Sequence, residues 1–123
     1  MKIVISNSSG KPIYRQIADQ IISQILSGNL PAGYALPPIR TVAKELHISV
    51  ITVKKAWEEL ERENFINTMV GRGCFVADIS AADLLDKRKD MIEKRIRSDV
   101  AHYKELGVRL DDIIEILEKH FGN

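Results

Sequence analysis

Between Ile13 and Val76 the apolar residues change period once, and that change dictates the order of elements the chain can form. Ile13, Ile17, Ile21 and Ile25 recur every fourth residue with Tyr14, Ala18 and Ile22 beside them, the face of an amphipathic helix of about four turns. Residues 1–11 read as a short polar lead. Pro12 suits the helix start and Gly28 its stop. The following "NLPAGYALPP" holds three prolines and a glycine and reads as a structured turn, with Leu30 and Leu36 directed to the core. Pro37 and Pro38 open a second, short helix whose inner face is Ile39, Val42, Ala43 and Leu46, with Arg40, Thr41 and Lys44 turned away. "HISV" breaks that pattern. Ser49 then caps a third helix whose inward stripe is Val53, Ala56, Trp57 and Leu60.

The period changes in "NFINTMVGRGCFVAD", where Phe65, Ile66, Val70, Phe75 and Val76 surround Gly71 and Gly73, a hairpin signal. Two short helices across a tight turn make a helix-turn-helix, and the hairpin after them makes a wing. Beyond it, Ser80 caps a long fourth helix running to about Leu106, with Asp83 near its N-terminal dipole and an apolar stripe of Leu85, Ile92, Ile96, Val100 and Tyr103. Gly107 and Val108 suit its stop, and Asp111 and Asp112 suit the start of a fifth helix along Leu110, Ile113, Ile114, Leu117 and Phe121. The predicted fold is mainly α with a small β-hairpin. Residues 1–77 form a winged helix-turn-helix DNA-binding domain, and 78–123 a short helical dimerisation region.

At 123 residues the chain has no room for a large multi-domain enzyme. No apolar run reaches the ~18 residues of a membrane span, and "MKIVISNSSGKPIY" turns polar too soon for a signal peptide, so no membrane partner is expected and the cytoplasm is. The single cysteine, Cys74, forms no intrachain disulfide, which suits a reducing compartment. The net charge of +1 conceals an asymmetry: residues 1–77 carry nine Lys or Arg against six Asp or Glu, and 78–123 nine against eleven. A local basic face can therefore sit beside an acidic remainder.

Val50 and Ile51 lie outside the inward stripe of the third helix, at its exposed start. In a recognition helix such residues meet base edges in the major groove, where an apolar side chain contacts the thymine methyl. Ser49, Thr52, Lys54 and Lys55 extend that face with hydroxyl and ammonium groups suited to bases or phosphates. Arg40 and Thr41 present a further basic and hydroxyl pair on the second helix. Arg72, between Gly71 and Gly73, sits where the wing tip approaches a minor groove or a phosphate. Catalysis finds no support: His47, His102 and His120 are far apart, with no metal-ligand spacing and no phosphate loop, so no enzyme activity, metal or cofactor is expected. Cys74 reads as a small strand residue of the wing, and His47 as part of the helix-turn-helix turn. The alternative to DNA is a winged-helix module that binds protein through Val50 and Ile51.

Over residues 12–76 the chain resembles the GntR family of bacterial transcription regulators. "GNLPAGYALPPIR", "ISVITVKKAWEELE" and "GRGCFV" stand in the family's order and spacing. The short helical tail looks like that of the YtrA-type subfamily, whose members pair through C-terminal helices and often control operons encoding ABC transporters. The resemblance implies DNA contacts for Arg40, Thr52, Lys54 and the wing tip Gly71–Gly73, and the role of a repressor. The chain departs from the family with Pro38 for Ser, Val50 for Arg, Lys54 for Arg and Cys74 for Thr. Replacing a guanine-reading arginine with Val50 favours an A·T contact there. Forty-six residues after the wing are too few for the large effector domains of other subfamilies. The apolar stripes instead predict a two-fold homodimer through Leu85, Ile92, Ile96, Val100, Tyr103, Ile113 and Leu117, with two recognition helices on half-sites of a palindromic operator about 34 Å apart. A small-molecule effector, unassigned, would act at the dimer interface.

Overall fold

The computed structural model describes residues 1–122, which fall into two compact units, Met1–Leu84 and the residues from Leu85 onward. The element order is α1 (Ile13–Leu26), α2 (Ile39–Leu46), α3 (Val50–Arg62), β1 (Ile66–Met69), β2 (Gly73–Val76), α4 (Ala81–Glu105) and α5 (Leu110–Phe121). In the first unit α1 and α2 both pack on α3. The isoleucine period does what it predicts: Ile17, Ile21 and Ile25 are buried, and Ile13 packs half-buried against the same core. They meet Val42 and Ala43 of α2, Val53, Ala56, Trp57 and Leu60 of α3, and Ile66 and Val76 of the hairpin. Leu30 and Leu36 are buried and pin the proline-rich turn.

Each helix stop has a local chemical cause. Gly28 follows α1 with φ 85°. His47 ends α2 in the left-handed region, φ 57°, and there the Ile48 N–H reaches back to the Ala43 carbonyl. Asn64, φ 64°, does the same for α3, with the Phe65 N–H on the Leu60 carbonyl. These are Schellman closures, in which the residue after the left-handed position supplies the returning amide. Because Ile48 and Phe65 both pack on the core, each closure also fixes the direction of the next segment. The α2 helix begins at Ile39 with Pro38 at its N-cap, so both prolines of the pair precede the helix.

Residues 1–6 are not a free polar lead. The backbone of alternate residues is bound by a ladder of glutamine amides on α1. The Val4 N–H donates to Gln20 Oε1 at 2.9 Å, and Gln20 Nε2 donates back to the Val4 carbonyl at 2.8 Å. Gln16 makes the same two-way pairing with Ser6, and Gln24 with Lys2. The match is geometric, since four residues of helix and two of extended chain each advance about 6–7 Å. The alternate residues Ile3 and Ile5 pack against the core.

The wing is an antiparallel hairpin in the register Ile66 with Val76, Asn67 with Phe75, Thr68 with Cys74 and Met69 with Gly73. The proline-rich turn adds an outer rung, pairing Ala35 with Phe75. Across the first unit runs a charged seam: Arg15 of α1 bonds Asp19 at 2.8 Å and Glu63, the C-cap residue of α3, at 3.2 Å, and lies 3.7 Å from Glu59. Burial alone would lower the Arg15 pKa, but Asp19 and Glu63 outweigh it and hold it above the ordinary value.

Ile79 and Leu84, on either side of the α4 start, pack half-buried on the first unit's core, and the Ser80 hydroxyl caps α4 by accepting the Asp83 N–H at 3.1 Å. The helix ends in a full Schellman closure, with Gly107 at φ 74° and the Val108 N–H on the Tyr103 carbonyl. At the start of α5, Asp112 accepts the Arg109 N–H. Neither α4 nor α5 buries a single residue within the chain.

Candidate nucleic-acid interface

The start of α3 is built outward from its cap. The Ser49 hydroxyl accepts the Thr52 N–H at 3.1 Å and lies 2.7 Å from Thr52 Oγ1, which fixes the first turn. With Val53, Ala56, Trp57 and Leu60 buried, the remaining positions must face away, and they do: Val50 is 40% exposed and Ile51 78%, Lys54 and Lys55 are exposed, and Thr52 is half-buried. On α2, Arg40 and Thr41 are exposed.

At the wing tip, Met69–Arg72 form a tight turn closed by the Arg72 N–H on the Met69 carbonyl at 2.9 Å. Its third residue, Gly71, has φ 78°, and Gly73 follows at 103°, values that only glycine adopts without strain. Arg72 is exposed, and Val70 is 99% exposed. The wing base is tied to α3 through Thr68, whose hydroxyl donates to Glu61 Oε2 at 2.7 Å. Cys74 is a half-buried, free thiol 3.4 Å from the Thr68 hydroxyl, and His47 sits in the turn between α2 and α3.

The exposed cations differ in how far they are compensated. Lys11 pairs with Asp19, and Arg62 with Glu59. That hydrogen bond from Arg62, reinforced by the charges of Arg62, Arg15 and, more weakly, Lys55, outweighs burial and holds the Glu59 carboxyl below its ordinary pKa. Lys55 stands apart, with its ammonium over the Tyr14 ring, 4.2 Å from the centroid. Sequence reasoning placed Tyr14 only beside the core stripe. No signal in the sequence links it to Lys55, because the pairing depends on how α1 packs against α3.

Of the residues predicted for dimerisation, Leu85, Ile92, Ile96, Val100 and Leu117 are exposed and Tyr103 and Ile113 half-buried within one chain. Leu110, Ile114, Ile116 and Phe121 add to this apolar surface. Among the described residues there is no cluster of His, Cys, Asp and Glu able to hold a metal, and no helix is long and apolar enough to cross a membrane.

Three helices with the third presented outward, followed by a wing, define a winged helix-turn-helix, the architecture of a DNA-binding regulator. Residues 13–76 match the model of the gntR family of bacterial regulatory proteins. The chain is 34% identical over 119 residues to the transcriptional repressor YtrA of Bacillus subtilis, spanning 95% of this chain and 90% of that one. A GntR family transcriptional regulator from Listeria monocytogenes superposes with a TM-score of 0.79 at 27% identity, over 94% of this chain and 98% of its own. The YtrA structure from Sulfolobus acidocaldarius is 36% identical with a TM-score of 0.64, over 80% and 97%. The chain belongs to the GntR family and is YtrA-like: a transcriptional regulator with a helix-turn-helix DNA-binding domain, not an enzyme.

Proposed function

We propose that this chain is a homodimeric repressor that works in the cytoplasm by occupying a palindromic operator and blocking transcription. The observation that carries the DNA face is the exposed start of α3, where Val50, Ile51 and Lys54 are exposed outside a buried stripe, with Arg40 exposed on α2 and Arg72 at the wing tip. Lys54, Lys55 and Arg40 meet phosphates or base edges, Val50 contacts a thymine methyl, and Arg72 enters the minor groove between Gly71 and Gly73. Thr41, Ser49 and Thr52 supply hydroxyls to the backbone.

The dimer is supported by the second unit, whose helices have no fully buried residue within one chain and display Leu85, Ile92, Ile96, Val100 and Leu117. A partner's matching helices cover such a stripe. The operon to examine first is one encoding an ABC transporter, following the YtrA likeness. Any small-molecule effector would act at the dimer interface.

The test is selection of bound duplexes from a random pool by the full-length protein, followed by titration of the winner across salt concentrations. An enriched inverted repeat with steep salt dependence, weakened by both Arg40→Ala and Arg72→Ala, is expected. No enrichment and no salt-dependent binding to any duplex would overturn it and leave Val50 and Ile51 to a protein partner.

A further inference from the structure

Three cations gather where the first turns of α1 face α3, and two of them are spent. Lys11 Nζ lies 2.9 Å from Asp19, and Arg15 is held by Asp19, Glu63 and Glu59. Glu59, one helical turn further along α3, is the acceptor that could hold Lys55, but that carboxylate pairs with Arg62 and Arg15. Among the described residues no ion pair within 4.0 Å or hydrogen bond engages the Lys55 ammonium; its charge acts on Glu59 only from a distance, and what lies against it is the Tyr14 ring at 4.2 Å.

The difference between these two kinds of partner matters. A carboxylate fixes a lysine by neutralising it and consuming its donors. An aromatic face attracts the ammonium through the ring quadrupole, so the side chain is confined while its full charge and its N–H groups stay available on the side away from the ring. Lysine otherwise loses appreciable rotamer freedom when it binds, and a lysine already confined loses less.

We propose that Tyr14 is a positioning residue for DNA binding: its ring holds the Lys55 ammonium, outside any ion pair, where it meets a backbone phosphate. The inference rests on the DNA-binding reading above and adds to it a residue of α1 that touches no base. Tyr14 acts through Lys55, so the two behave as one contact.

The experiment uses the full-length protein and a duplex of mixed sequence, because a phosphate contact is independent of sequence. Binding is measured against salt for wild type, Tyr14→Leu, Tyr14→Phe, Lys55→Ala and the Tyr14→Leu/Lys55→Ala pair, with Arg40→Ala and Lys54→Ala alongside. Lys55→Ala is expected to flatten the dependence of log K on log salt by about 0.9 for each bound protomer. Tyr14→Leu should flatten it equally, the pair no further, and Tyr14→Phe not at all. A loss of folded protein would lower the active fraction without changing that slope.

A wild-type slope in Tyr14→Leu beside a reduced one in Lys55→Ala overturns the proposal, as do additive losses in the pair. If Arg40→Ala and Lys54→Ala weaken binding while Tyr14 and Lys55 variants do not, only this inference falls; if none of them does, the DNA-binding reading falls with it. Should Tyr14→Leu fail to fold, the NMR shifts of the Lys55 ε-methylene protons decide. An upfield displacement by the ring is expected in wild type and Tyr14→Phe, and random-coil values in the free protein overturn the proposal.

Discussion

Two hydroxyls at the start of α3 answer to each other before they answer to any ligand. Ser49 Oγ accepts the Thr52 N–H and shares a proton with Thr52 Oγ1, so only one hydroxyl hydrogen of the two is left for an outside acceptor. Ser49→Ala removes the cap and is expected to cost about 1 kcal/mol in urea unfolding. Ser49→Asp keeps a capping oxygen but adds a negative charge at the proposed phosphate face. It should therefore hold the urea midpoint near wild type while weakening DNA binding, which separates the two roles of one side chain. Farther along α3, Glu59 has a lowered pKa through its bond from Arg62 and the charges of Arg62 and Arg15. A carboxyl lowered in the folded state stabilises the fold above its unfolded pKa of about 4.3, and that stability is lost as pH falls through the folded value. Glu59→Gln should accordingly make the fall in melting temperature below that range shallower, with little change in its slope near neutrality.

At the scale of elements, what the sequence discloses depends on whether the partner of a pattern is local. The α1 period, the Ser49 cap, the Gly28 and Gly107 stops and the stripe of α3 are all read within a few residues, and each is where the spacing puts it. The exposed set Val50, Ile51 and Lys54 was legible by subtraction from that stripe. The N-terminal arm was not, because Val4 between Ile3 and Ile5 hides their alternation and the partners of its backbone are side-chain amides on another element. Gln16, Gln20 and Gln24 at four-residue spacing are the signal that would have found it. The outer rung from Ala35 to Phe75 was hidden for the same reason, and so was the Tyr14 contact. The wing turn shows the local case tested. A Cβ on Gly71 meets no atom within 4 Å, so Gly71→Val acts through φ alone, at about 1–2 kcal/mol for a left-handed position. The hairpin should open while the helical core stays closed. Amide exchange at Met69 and Arg72 is then expected to accelerate, with that of Leu60 unchanged.

At the scale of the whole molecule, the second unit displays apolar faces that the proposed dimer would cover. Its apolar residues are not stray: Leu85, Ile92, Ile96 and Val100 follow one face of α4, and Leu110, Ile114, Leu117 and Phe121 one face of α5. Yet neither helix buries a residue within the chain. A helix as short as the 12-residue α5 is marginal in water on its own, and in proteins most helical stability comes from packing an amphipathic face. In the proposed dimer a second copy would supply that packing and place a second α3 on the same duplex, so dimerisation and operator affinity would be coupled through effective concentration. Ile96→Glu puts a charge in the middle of the proposed α4 seam, remote in sequence from every candidate DNA contact. Sedimentation equilibrium should give the mass of two chains for wild type and of one for the variant. The variant's affinity for the selected inverted repeat should fall by roughly 10²–10⁴, while its affinity for an isolated half-site stays that of one wild-type recognition unit. A variant that sediments as one chain yet binds the full repeat like wild type would mean that the helices pair for some purpose other than reading two half-sites. A variant that remains a dimer would move the seam away from Ile96.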